Sequence, residues 1–112
     1  MANSFINKKV DLTTTGVTTL YTVPSASTAV IKSILVSEDS GNADTITITI
    51  TAGSDVFSLF KTKAIGANGT VELLTTPLVV QESEVIKVTA DTANRLHVIL
   101  SALEIKPREV TS

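Results

Sequence analysis

From Thr45 to Thr51 the chain alternates threonine and isoleucine without exception, and the run ends at Ala52-Gly53. Successive side chains of a β-strand point to opposite faces, so this is a strand with Ile46, Ile48 and Ile50 on one side and Thr45, Thr47, Thr49 and Thr51 on the other. The isoleucine side belongs in a core. The threonine side carries methyls and hydroxyls but no charge, and an uncharged β-segment without proline is an aggregation hazard on an exposed edge. The strand is therefore expected to be paired on both sides, or to have part of its threonine face covered by another subunit.

The same period recurs along the chain. Short stretches rich in Val, Ile and Thr lie near 6–12, 18–23, 28–37, 45–52, 55–61, 69–75, 84–90 and 95–105. Between them stand turn-forming residues, among them Thr15-Gly16, Pro24-Ser25, Ser40-Gly41-Asn42, Ala52-Gly53-Ser54, Gly66-Ala67-Asn68-Gly69, Glu82-Ser83 and Asp91-Thr92. This spacing predicts an all-β fold, an antiparallel sandwich of about eight strands of jelly-roll or immunoglobulin-like type. The best helical candidate, 61–65, amounts to one turn. Without a repeat or linker, the whole of 1–112 reads as one domain, with loose ends near 1–5 and 106–112.

The last strand differs from the others. Leu96, Val98, Leu100 and Ala102 share one face, while His97, Ile99, Ser101, Leu103 and Ile105 share the other. Both faces are mostly apolar, which predicts a central strand covered on both sides, by a second layer and by a neighbouring subunit. Ile99 and Leu103 thus join the four threonines as candidate subunit-interface residues. Phe57 and Phe60 are expected on opposite faces of their strand.

At 112 residues the chain has enough length for a core, and 43% hydrophobic residues argue against disorder. Aromatics make up only 4%, so aliphatic side chains must fill the interior, and ligand pockets walled by aromatic rings are disfavoured. Nine basic and eleven acidic residues leave a net charge of −2 with no basic stripe, so direct nucleic-acid binding is not expected. Zero cysteines exclude disulfides and thiolate metal sites. No apolar run is long enough for a membrane span, and Met1 to Phe5 do not read as a signal peptide. Folding in the cytoplasm of the producing cell is expected.

Candidate chemistry is sparse. His97, the only histidine, lies in an apolar strand with no identifiable partner, which suits a structural residue better than a base. Glu38, Asp39 and Asp44 gather around Gly41, but not at EF-hand spacing, and a solvated hairpin loop uses the same residues. Gly66-Ala67-Asn68-Gly69 lacks the lysine and helix of a phosphate loop, and Lys8 and Lys9 suit an edge strand. No catalytic residue, metal or cofactor is expected.

The stretch Thr18-Thr19-Leu20-Tyr21-Thr22-Val23-Pro24, followed by Thr28-Ala29-Val30-Ile31-Lys32-Ser33-Ile34-Leu35-Val36-Ser37, resembles small all-β virion structural proteins of tailed bacteriophages. In that group a strand enters a proline turn and an Ala-Val-Val or Ala-Val-Ile strand follows. The second half matches in Glu84-Val85-Ile86-Lys87-Val88-Thr89-Ala90 and in a closing strand with a glutamate near its end, here Glu104. The similarity spans about residues 10–105. It departs from the pattern at Ser25-Ala26-Ser27, where Ala-Gly is usual, and at Glu82-Ser83-Glu84, where Gly-Asp is usual.

The resemblance implies a virion protein without enzymatic activity, foremost a capsid decoration (cement) protein that binds the major capsid protein and stabilises the head. A tail- or fibre-associated subunit is the alternative within that class. Homo-oligomers, trimers first, are expected from that role and from the two-sided last strand. A sugar-binding sandwich module is a further alternative, though only Phe5, Tyr21, Phe57 and Phe60 could stack on a sugar.

Overall fold

A computed structural model describes residues 2–106. Within them the chain forms β1 (Ala2–Asp11), β2 (Thr18–Thr22), β3 (Thr28–Glu38), β4 (Asp44–Ala52), β5 (Asp55–Ile65), β6 (Thr70–Glu72), β7 (Leu78–Val80), β8 (Val85–Ala90) and β9 (Leu96–Lys106). The pairing is that of a long ribbon folded at the β4–β5 hairpin: β4 with β5, β3 with β6 and β7, β2 with β8, and β1 with β9, all antiparallel. Rolling the ribbon adds the pairs β3–β9 and β4–β8. One sheet then has the order β1-β9-β3-β6, with β7 also on β3, and the other has β2-β8-β4-β5. This antiparallel β-sandwich has jelly-roll connectivity.

Alternation decides which side chains meet between the sheets. Ile46 and Ile48 are fully buried, and they join Ile34, Val36, Ile86, Val88, Val98 and Leu100 in one aliphatic cluster. β4 is paired on both sides, by β8 and β5, so its uncharged segment presents no free edge. β9 is central, between β1 and β3, as its apolar faces required. Its inner face is covered by the second sheet, but no element of the described chain covers its outer face, where Ile99 is 40% exposed.

The differences from the sequence reading come from bulges and short strands. On β5, bulges opposite the Ile46–Thr49 stretch shift the alternation and carry the strand on to Ile65, so 61–65 is extended rather than helical. They also place Phe57 opposite Ile50 and Phe60 opposite Ile48, so the two rings share the inner face instead of lying on opposite ones. Phe60 packs against the core, whereas Phe57 remains 57% exposed. The stretch 69–75 yields only three residues of strand, and β7, also of three, is too short to show a period in the sequence. Residues 2–5 are not a loose end, because Ala2–Phe5 pair with Leu103–Lys106. Residue 1 and residues 107–112 lie outside the described residues.

Two sequence departures acquire a physical meaning. Ala26 (φ 58°) and Ser83 (φ 68°) both adopt the left-handed conformation, which glycine accepts without the clash that a Cβ brings. Their loops are tied together: Ser83 N–H donates to Val23 O at 3.0 Å, and Ala26 N–H donates to the Glu82 carboxylate at 2.8 Å.

Burying an isoleucine side chain contributes about 1.5–3 kcal/mol, and an unpaired carboxylate at the same place costs more. Ile48→Asp should therefore abolish the cooperative thermal transition in calorimetry, whereas a melt near wild type would reverse the assignment of faces. Ala26→Gly and Ser83→Gly should each raise stability by about 0.5–1 kcal/mol, the left-handed penalty less glycine's entropy cost. Urea midpoints of the two variants check this.

Candidate functional surfaces

The six candidate interface residues fall on two surfaces facing away from each other. Thr45, Thr47, Thr49 and Thr51 lie on the outer face of the β2-β8-β4-β5 sheet, while Ile99 and Leu103 lie on the outer face of the β1-β9-β3-β6 sheet. The fold does not bring the two sets together.

On the threonine face, register extends the row sideways. Thr47 stands opposite Thr89, Thr49 opposite both Lys87 and Ser58, and Thr51 opposite Val85 and Val56. The face is mostly hydroxyl and methyl, but Lys87 brings one charge to its middle, which the β4 run alone does not show. At one end Thr15, Thr45, Thr47, Thr62 and Thr89, with Ala90 and Asp91, line a shallow depression of about 170 Å³. Thr62 has φ 49°, a strained conformation for a β-branched residue. Its N–H donates to Thr47 Oγ1 at 3.0 Å, and its own hydroxyl donates to Lys61 O at 2.7 Å. The Thr47 hydroxyl thus closes a bulge, whereas Thr51 Oγ1 is buried with no partner among the described residues.

The opposite face carries two rows that cross the sheet. One reads Lys9, Ile99, Leu35, Glu72 and the other Phe5, Leu103, Val30, Val79. Phe5 is 82% exposed and Val79 52%, so the second row is an apolar stripe open to its surroundings. Sequence reading found Ile99 and Leu103 from β9 alone. Phe5, Val30 and Val79 become neighbours of these two only through the register of separate strands.

His97 closes one end of this face. Its Nε2 lies 3.1 Å from Asp11 Oδ1 and its Nδ1 lies 3.8 Å from Asp39 Oδ2. The fold thus supplies partners that the sequence did not reveal. Ser37 is opposite His97 in register, yet both ring nitrogens are turned toward carboxylates, so the geometry orients the ring rather than activating a hydroxyl.

The three acidic residues around Gly41 diverge. Asp39 faces His97, and Asp44 accepts from Thr92 N–H at 3.0 Å. Glu38 is buried and ties two loops together: it accepts from Ser40 N–H (2.7 Å), the Ser40 hydroxyl, Gly41 N–H (3.0 Å) and Asn68 N–H (3.0 Å). Among the described residues no group of three His, Cys, Asp or Glu side chains converges to hold a metal. Burial opposes ionisation of Glu38, but its hydrogen bonds outweigh that and hold its pKa at about 2.

Glu72 does similar work at the sheet edge. β6 and β7 leave a gap along β3, and there the Glu72 carboxylate accepts from Ile34 N–H at 2.8 Å and from the Ser33 hydroxyl. Burial again raises its pKa, and these bonds with Leu74 N–H lower it overall. Between the sheets, the buried Tyr21 donates its hydroxyl to Glu104 at 2.6 Å. Burial, then the hydrogen bond and charge of Glu104, pushes the phenol well above its ordinary range.

Comparison with known protein families and with curated proteins finds no match. What the chain offers chemically is therefore read from its surfaces: two broad sheet faces, one rich in hydroxyls and one apolar.

The Glu38 knot carries a pH signature. A carboxyl with a depressed folded pKa stabilises the fold fully above its ordinary value of 4.5, and that contribution fades as pH falls toward about 2. Glu72 acts with the same sign. Urea midpoints should fall between pH 4.5 and 2, and Glu38→Gln should be less stable at pH 7 with a smaller acid loss. A variant whose acid loss equals wild type would remove Glu38 as its source.

Proposed function

We propose that this chain is a non-enzymatic structural subunit of a tailed-phage particle, a decoration protein that adheres to the major capsid protein of the head shell. It is made in the host cytoplasm and carried in the virion. The reading rests on the resemblance over residues 10–105, joined to one structural observation: the outer face of the β2-β8-β4-β5 sheet is a broad hydroxyl-and-methyl surface with Lys87 amid it. Hydroxyls bond equally to water and to a protein neighbour, so such a face stays soluble before assembly and adheres without a large desolvation cost afterwards. Fold alone does not select a function, and adhesion is what this surface chemistry supports.

Thr49 is the cleanest probe. Thr47 holds the Thr62 bulge, whereas an acidic residue at 49 can pair across the strand with Lys87 and leave the sheet intact. Thr49→Glu should fold and stay soluble but fall at least tenfold in occupancy on particles, measured by quantitative mass spectrometry of purified virions. Wild-type occupancy would remove this face from the attachment site, and imaging that finds the protein in the tail would replace the head placement.

A further inference from the structure

We propose that a second copy of this chain docks on the outer face of the β1-β9-β3-β6 sheet, through a two-fold axis parallel to the strands and midway between β9 and β3. The order of residues across the sheet suits such an axis. Lys9, Ile99, Leu35 and Glu72 run from the β1 edge to the β6 edge, so the row reads basic, apolar, apolar, acidic. A two-fold axis along the strands lays this row over its own reverse. Lys9 of one copy then faces Glu72 of the other, and Ile99 faces Leu35.

The second row obeys the same operation. Phe5, Leu103, Val30 and Val79 become Phe5 over Val79 and Leu103 over Val30, which sets a large exposed ring against a smaller exposed side chain at each edge. An isologous contact needs this self-complementarity, because one patch must serve as both partners.

The remaining charges agree with the pairing. The bulge in β3 pushes Lys32 out beside Phe5, Asn7 and Ser101, on the β1–β9 half of the face, and Lys9 Nζ donates to Asn7 at 2.9 Å on the same half. The Glu72 carboxylate stays on the β3–β6 half, held by the Ser33 hydroxyl and Ile34 N–H of β3. Each copy therefore has a basic half and an acidic half, and the axis sets one over the other. Asp11 and His97 sit together at the end of the face, away from this centre. Charge complementarity of this kind fixes register more than it adds affinity.

Size sets the strength. The ten residues of β1 by the three full strands cover about 34 Å by about 14 Å at ordinary strand spacings, and the short β6 and β7 add about 100 Å², about 570 Å² per copy. Two copies bury about 1,100 Å² in projection, the small end of specific interfaces, which fits a dimer that forms and dissociates with concentration. A two-fold contact makes dimers, in place of the trimers implied by the resemblance.

The proposal does not depend on the phage reading, and its test uses the isolated chain. Sedimentation equilibrium across micromolar to millimolar concentrations should show a monomer–dimer equilibrium. Phe5→Asp and Val79→Asp, both at exposed positions, should each weaken it at least tenfold with unchanged melting. The chain contains no cysteine, so engineered pairs report geometry without background. An equal mixture of the Phe5→Cys and Val79→Cys variants should give a disulfide-linked dimer under mild oxidation, and neither variant alone should. A monomer at every concentration, a trimer, a dimer untouched by both Asp variants, or linkage from a single cysteine variant would each overturn the proposal.

Discussion

Ile46 and Ile48 of β4, Ile86 and Val88 of β8, and Ile34, Val36, Val98 and Leu100 of the opposite sheet share one buried cluster, and the rest of the molecule follows from that contact. With Tyr21 the only aromatic side chain fully inside it, the interior is an aliphatic layer between two sheets. Aliphatic burial has no direction of its own, so position comes from the pleat: each residue turned inward forces its neighbours outward. The threonine face is the obligatory reverse of the isoleucine face, and the row around Ile99 is the reverse of Val98 and Leu100.

Directional bonds then act where strand pairing fails. Glu72 supplies acceptors at the gap between β6 and β7, Glu38 gathers the N–H groups of two loops, and Tyr21 links the sheets through Glu104. In the first two cases a carboxylate does what a neighbouring strand would otherwise do. Leaving those N–H groups buried and unpaired would cost about 1–3 kcal/mol each. Bulges belong to the same economy of pairing. The one in β3 turns Lys32 outward and restores inward Ile34 and Val36, and the one held by Thr47 and Thr62 lets β5 follow β4 to its end.

Both outer faces offer broad surfaces for contact. One offers hydroxyls with Lys87 among them, and the other offers one apolar row and one row that ends in Lys9 and Glu72. If the first grips a shell and the second a further copy, the two contacts point away from each other, and one subunit can join partners on both sides. The strained residues Ala26 and Ser83 lie in tied turns apart from both faces, while Thr62 borders the hydroxyl face.

The sequence by itself determined the all-β class, the inward residues of β4 and β9, the central place of β9 and most of the turns, because a period of two and a turn-forming residue are local properties of the chain. It also placed the threonines and Ile99 and Leu103 on outer faces. Bulges erased the local period, so the length of β5 and the common face of Phe57 and Phe60 were not legible, and three-residue strands such as β7 are too short to carry a period at all. The choice of jelly-roll connectivity, the carboxylate partners of His97, and the rows from Phe5 to Val79 and from Lys9 to Glu72 were decided only by the tertiary structure. They depend on which strands lie side by side and in what register, and pairing between residues far apart in the chain leaves no mark on either segment alone.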